Sequence, residues 1–141
     1  MRDKIYIVRT LKVLEEYAAD ELAVIDVGRT LAEEYQKEPE AFKKKSVSDS
    51  FNYFQSLFDV LLPVHCKCIV FNNIGILCEE DFSLNVSTFF LNYSKSYETY
   101  IVWPYHIVHN RKLVWKSDSP ANFIYFNEGV LELKGDEDEV F

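Results

Sequence analysis

Apolar positions along this chain follow two rhythms, and the changes of rhythm mark its elements. Residues 4–8, Lys-Ile-Tyr-Ile-Val, form a short β-rich run that predicts a first strand. Leu11, Leu14, Tyr17 and Ala18 then recur at helical spacing, with Glu15 and Glu16 facing out. A second apolar run over 22–27 stops at Gly28, and a helical pattern over 29–37 is ended by Pro39. Ser46 and Asp49 supply a cap and a first-turn acid for another helix. Its apolar face is Val47, Phe51, Phe54, Leu57, Phe58 and Leu61, running up to Pro63.

The next stretch, 67–77, reads Lys-Cys-Ile-Val-Phe-Asn-Asn-Ile-Gly-Ile-Leu. An apolar run without alternation, stopped by two asparagines, predicts a central strand buried on both faces. Glu79, Glu80 and Asp81 make an acidic turn into a helix carrying Val86, Phe89, Phe90 and Tyr93, and acids suit its positive N-terminus. Residues 99–103, Thr-Tyr-Ile-Val-Trp, predict a further strand ended by Pro104. Short runs over 112–115, 123–126 and 130–133, separated by turn-forming residues, predict an antiparallel extension of the sheet.

The order β-α-β-α-α-β-α-β followed by short strands predicts a small α/β fold. Its sheet is mainly parallel with helices on both faces, and the antiparallel extension is C-terminal. No repeat or long linker divides the chain. Residues 1–134 are expected to form one domain and 135–141 an acidic C-terminal tail.

Composition adds limits. At 141 residues and 48% hydrophobic, with eleven Phe and nine Tyr, the chain can fill one sizeable core. A net charge of −8 opposes general attraction to a phosphate backbone. Lys43, Lys44 and Lys45, with Arg111, Lys112 and Lys116 beside Trp103, Tyr105 and Trp115, offer cations and stacking surfaces, but they form no basic stripe. Nucleic-acid binding by the chain alone is therefore not expected. No apolar run has the length of a membrane span, and the N-terminal apolar run is too short for a secretory signal. Three cysteines without a regular framework fit a reducing cytoplasm, so the glycosylation patterns at Asn85 and Asn92 read as accidental.

Several residues carry candidate chemistry. His65, Cys66, Cys68, Cys78, His106 and His109 include metal-ligand types, but the spacing is wrong for the common structural zinc sites. A Cys-x-Cys pair entering a strand is expected to put both thiols on one face, buried as small hydrophobes. Cys78 near a strand tip lacks an evident base to make it a nucleophile. The expectation is no metal, no cofactor and no catalytic residue. Asn72 and Asn73 fall at a strand tip, where open α/β sheets keep their working groups, and serve there either as ligand-binding amides or as a turn cap. Trp103, Tyr105, His106, His109, Arg111 and Trp115 cluster after the fourth strand as a candidate partner-binding surface. The hairpin beyond them offers an edge for pairing with a second copy as a homodimer.

Cys-Ile-Val-Phe-Asn-Asn-Ile-Gly-Ile-Leu, residues 68–77, resembles the second nucleotide-site motif of the BrxF family of BREX phage-defence systems, an apolar strand followed by Asp-Asn-Ile-Glu-Ile-Leu. Residues 99–103 resemble that family's next strand. Residues 24–34, Val-Ile-Asp-Val-Gly-Arg-Thr-Leu-Ala-Glu-Glu, resemble the strand and helix after its phosphate loop. The resemblance implies a phosphate-loop nucleotide-hydrolase fold, and the departures imply that it is degenerate. Residues 7–14, Ile-Val-Arg-Thr-Leu-Lys-Val-Leu, run from strand to helix with no glycine, so the phosphate cradle, its lysine and its Mg²⁺-binding hydroxyl have no counterpart. Asn72 stands where the family has Asp and Gly75 where it has Glu. An amide is a poorer Mg²⁺ ligand and cannot act as a carboxylate base. These features lead to the expectation of a non-catalytic assembly or regulatory component, partnered by other defence subunits. The alternatives are a nucleic-acid-binding module and an enzyme using Cys or His at the strand tips.

Overall fold

The computed structural model describes residues 4–14, 22–38, 47–64, 66–78, 84–108, 112–114, 123–126 and 131–133. The run of Ile and Val near the start forms strand β1 (Ile5–Val8), followed by a single 3-10 turn (Leu11–Leu14). Strand β2 (Leu22–Asp26) passes directly into helix α1 (Val27–Lys37). Gly28 therefore lies inside the first helical turn rather than stopping the strand. Helix α2 (Val47–Asp59) precedes β3 (Cys68–Asn72), a 3-10 turn (Ile74–Cys78) and helix α3 (Val86–Ser94). Strand β4 (Glu98–Val102) leads into β5 (His106–Val108), β6 (Lys112–Val114), β7 (Phe123–Tyr125) and β8 (Leu131–Leu133).

Five strands pair in the order β2-β3-β4-β1-β8, every neighbouring pair parallel. The chain steps outward from β1 to β2, then returns through β3 and β4 and passes β1 to reach β8. Right-handed crossovers put connections that run in opposite senses on opposite faces. The β2–β3, β3–β4 and β4–β8 connections thus share one face, and packing agrees. Leu31 of α1, Phe54 and Phe58 of α2, Phe89 and Phe90 of α3, Leu113 of β6 and Ile124 of β7 all join one core with Ile5, Ile7, Ile69, Phe71 and Ile101. The opposite face holds a smaller cluster of Val8, Cys68, Val70, Tyr100 and Val102, flanked by Tyr6 and Leu22.

The expectation of helices on both faces is met on one face, and residues 15–21 of the β1–β2 connection, which handedness puts on the other, lie outside the described residues. Among the described residues all three α-helices lie on one face, and the first expected helix is a 3-10 turn over its first four residues. Tyr17 and Ala18 lie outside the described residues. The C-terminal strands also divide differently from the expected extension. β5, β6 and β7 form a separate antiparallel sheet, whereas β8 joins the main sheet parallel to β1, with Ile5 opposite Leu131 and Ile7 opposite Leu133. A three-residue strand says nothing of its partner, and a crossover that passes through another sheet hides the parallel pairing. The tail beyond Leu133 lies outside the described residues. Among the described residues no helix is long and apolar enough to cross a membrane.

Cys68, Ile69, Val70 and Phe71 of β3 are all buried, as a strand covered on both sides requires. Phe71 brings β3 into an aromatic cluster built with α2 and α3. Its ring centroid lies 4.8 Å from Phe90, 5.2 Å from Tyr93 and 6.0 Å from Phe58. Such tilted and edge-to-face pairs add about 0.5–1.5 kcal/mol each beyond the area they bury. Tyr93 also ties α3 to α2, its hydroxyl donating to Asp59 Oδ1 at 2.7 Å and to the Gln55 carbonyl at 3.3 Å. The apolar stripe of α2 ends earlier than its spacing predicts. After Asp59 the chain turns, leaving Leu61 half exposed, Val60 at 80% and Val64 at 94% exposure.

Two outcomes follow from this packing. Phe58→Ala should cost about 3–5 kcal/mol in urea unfolding, as for other buried aromatics, and Leu57→Ala, only partly buried, clearly less. Burial, then the hydrogen bond and charge of Asp59, and then Tyr97, push the Tyr93 hydroxyl well above its ordinary 10.0. A raised folded value means that the stabilisation is full below pH 10 and declines as pH rises above it. Stability measured against pH should fall above pH 10, and Tyr93→Phe should remove part of that fall.

Candidate functional site at the carboxyl ends of the strands

A parallel sheet brings the carboxyl ends of all its strands to one edge, so Arg9, Asp26, Asn72 and Trp103 meet there although they are far apart in sequence. The tips of β2 and β3 are stitched together. Asp26 is the N-cap of α1, and its Oδ1 accepts from the Arg29 N–H at 3.1 Å. The same oxygen accepts from Asn73 Nδ2 at 2.9 Å. Asn73 has φ of 58°, a left-handed conformation that Asn tolerates better than most residues. Its N–H donates to Asn72 Oδ1 at 3.0 Å, which closes the turn out of β3. A Cβ on Gly28 would lie 3.4 Å from Asn73 Cβ, so α1 begins in close contact with this turn.

Both amides at the β3 tip are thus engaged with the chain itself, as the turn-cap reading of Asn72 and Asn73 has it. The spacing of the sequence did not reveal Asp26 as their partner. Its one legible sign is an acid placed between an apolar run and a helical pattern, which is a capping signature.

The tips of β1 and β4 are joined as well. The Trp103 N–H donates to the Val8 carbonyl at 2.9 Å, carrying the pairing one residue past the strands. Arg9 Nη1 donates to the Trp103 carbonyl at 3.2 Å and also to the Tyr105 carbonyl. Thr10 Oγ1 then accepts from the Lys12 N–H at 3.2 Å, starting the 3-10 turn. A guanidinium and a short turn therefore stand directly after β1.

Of the expected partner surface, Trp103, Tyr105 and His106 lie among the described residues. Trp103 is 1% exposed and belongs to the core, so it is no surface anchor, and its ring meets Tyr105 edge-on at 5.3 Å. The Trp103 ring is buried in the main core, and its backbone N–H and carbonyl are both bonded. Tyr105 is 49% exposed. His106 has a described backbone, opposite Val114 in the small sheet, while His109, Arg111 and Trp115 lie outside the described residues. Lys43, Lys44, Lys45, Lys116 and His65 also lie outside them.

The thiols fall on different sides of the sheet, contrary to the expectation of one shared face. Cys66 packs against the larger core and Cys68 belongs to the smaller cluster. Alternation fails because Cys66 precedes the first residue of β3. Its thiol donates to the Cys68 carbonyl at 3.0 Å, and burial raises its pKa, which favours the unreactive thiol form. Cys68 Sγ and the Tyr100 hydroxyl both donate to Glu98 Oε1, each at 3.0 Å. Among the described residues no three of His, Cys, Asp and Glu come together to hold a metal ion.

The stitched tips predict a graded response to mutation. Asp26→Ala loses a helix cap and the Asn73 contact and should cost about 1–2 kcal/mol. Asn73→Ala adds backbone strain to the lost bond and should cost about 1–3 kcal/mol, while Asn73→Gly, which tolerates the turn, should cost less. Urea unfolding of the three variants gives the order.

No family model, no curated protein and no solved structure matches this chain.

Proposed function

We propose that this protein is a non-catalytic assembly or regulatory component built on a degenerate nucleotide-hydrolase fold, working with protein partners. The observation that carries this reading is the state of the strand tips. In an open α/β sheet a ligand binds in the crevice at the carboxyl ends of the strands, where neighbouring crossovers leave in opposite senses. In this sheet that point lies between β1 and β4. There Arg9 bonds the Trp103 and Tyr105 carbonyls, and Trp103 packs into the core. One strand further out, Asp26, Asn72 and Asn73 satisfy one another and the start of α1.

The sheet order supports the fold half of the reading. The main sheet is an open parallel sheet with a change of crossover sense between β1 and β4, the kind of sheet that binds nucleotides at its strand tips. Residues 68–77 occupy β3 and the turn after it, where such a fold keeps its second nucleotide motif, and they carry amides in place of the acid. Three parts of phosphoryl-transfer chemistry, the phosphate cradle, its lysine and the metal-holding acid, are absent from the corresponding sequence. A role in a phage-defence complex rests on the resemblance of residues 24–34, 68–77 and 99–103.

Titration calorimetry with ATP and Mg²⁺ tests the central claim. No binding heat and no phosphate release are expected, and Asn72→Asp should restore neither, because the cradle is missing as well. Micromolar affinity for ATP–Mg²⁺ would overturn the reading.

A further inference from the structure

We propose that β2 is the edge along which two copies of this chain pair, joining their sheets antiparallel into one. β2 ends the main sheet, and among the described residues β3 alone pairs with it. An edge strand presents a row of backbone N–H and C=O groups that can template another strand. Proteins usually blunt such an edge with lysine, proline or a bulge. β2 has none of these. It reads Leu-Ala-Val-Ile-Asp and pairs residue for residue with β3, from Leu22 opposite Cys68 to Asp26 opposite Asn72, without a skipped position. At its centre Val24 is 48% exposed, whereas the strand at the other end of the sheet carries Glu132 at its centre.

The sequence of β2 is complementary to itself. An antiparallel pair about a two-fold axis through Val24 sets Val24 against Val24, Ala23 against Ile25 and Leu22 against Asp26. The one charge on each strand then faces an apolar residue, and the two Asp26 residues stand about 14 Å apart along the strands, given the rise per residue. That exceeds the screening length at physiological salt, so the acidic charge of the chain adds little repulsion at this contact. Residues directly opposite in such a pair point to the same side, so the faces of the two sheets continue across the axis. Asp26 already accepts two internal hydrogen bonds and needs nothing from the partner copy.

Sedimentation velocity across protein concentration tests the pairing. The wild type should form dimers, and Val24→Lys, which opposes two ammonium groups across the axis, should sediment as a monomer with unchanged circular dichroism. Mixing Val24→Lys with Val24→Glu should restore a mixed dimer. Hydrogen exchange on the wild type needs no variant: amides of Leu22–Asp26 should gain protection at concentrations where the dimer forms. A monomeric wild type overturns the proposal, including the case in which β2 takes a strand from a different protein. Equally, a dimer that survives Val24→Lys, or one that forms with no change in β2 exchange, places the contact elsewhere and overturns it.

Discussion

Parallel pairing is the constraint from which most of this molecule follows. Parallel neighbours cannot be joined by a tight hairpin, so each step between them needs a crossover that must itself pack somewhere. β3 and β4 need apolar cover on both faces, which explains why their interiors run without polar alternation. The same constraint aligns all five carboxyl ends at one edge. Arg9 and the Asp26–Asn73 pair close that edge with bonds between segments that the crossovers have brought together.

Those bonds differ in character. Asp26 to Asn73 is a short link between adjacent strand tips, and the same Asp26 oxygen caps α1. Arg9 reaches the backbone where the chain leaves the main sheet for the small antiparallel one. The two together give the strand tips partners within the chain. An edge joined in this way fixes the relative positions of the strand tips through side chains as well as through the sheet.

Long apolar patterns were legible in the sequence. The faces of α2 and α3, the buried run of β3 and the strand at β4 each depend on local spacing, and each forms close to where the spacing predicts. Partnership was less legible. β8 reads as one more short strand, and nothing in Leu-Glu-Leu indicates that β1 is its neighbour. Arg9 and its acceptors are separated by 94 and 96 residues, so no window along the chain contains both. Trp103 reads equally well as anchor or core, because a Trp at a strand end offers an apolar body and a polar tip. The backbone bond to Val8 and the packing around β4 decide for the core. Among the site residues, Asn72 and Asn73 were visible as a turn, and Asp26 became their partner only once β2 and β3 lay side by side.

The turn after α2 has a bearing on how the molecule behaves in bulk. Val60 and Val64 project into water at a place that the fold does not cover. At neutral pH a net charge of −8 opposes non-specific association through such a projection. As acid brings the chain toward its isoelectric point near 4.9, that repulsion vanishes while the apolar tip remains. With little net charge left, a few uncovered methyl groups weigh more in contacts between molecules, and solubility should pass through its minimum near that pH.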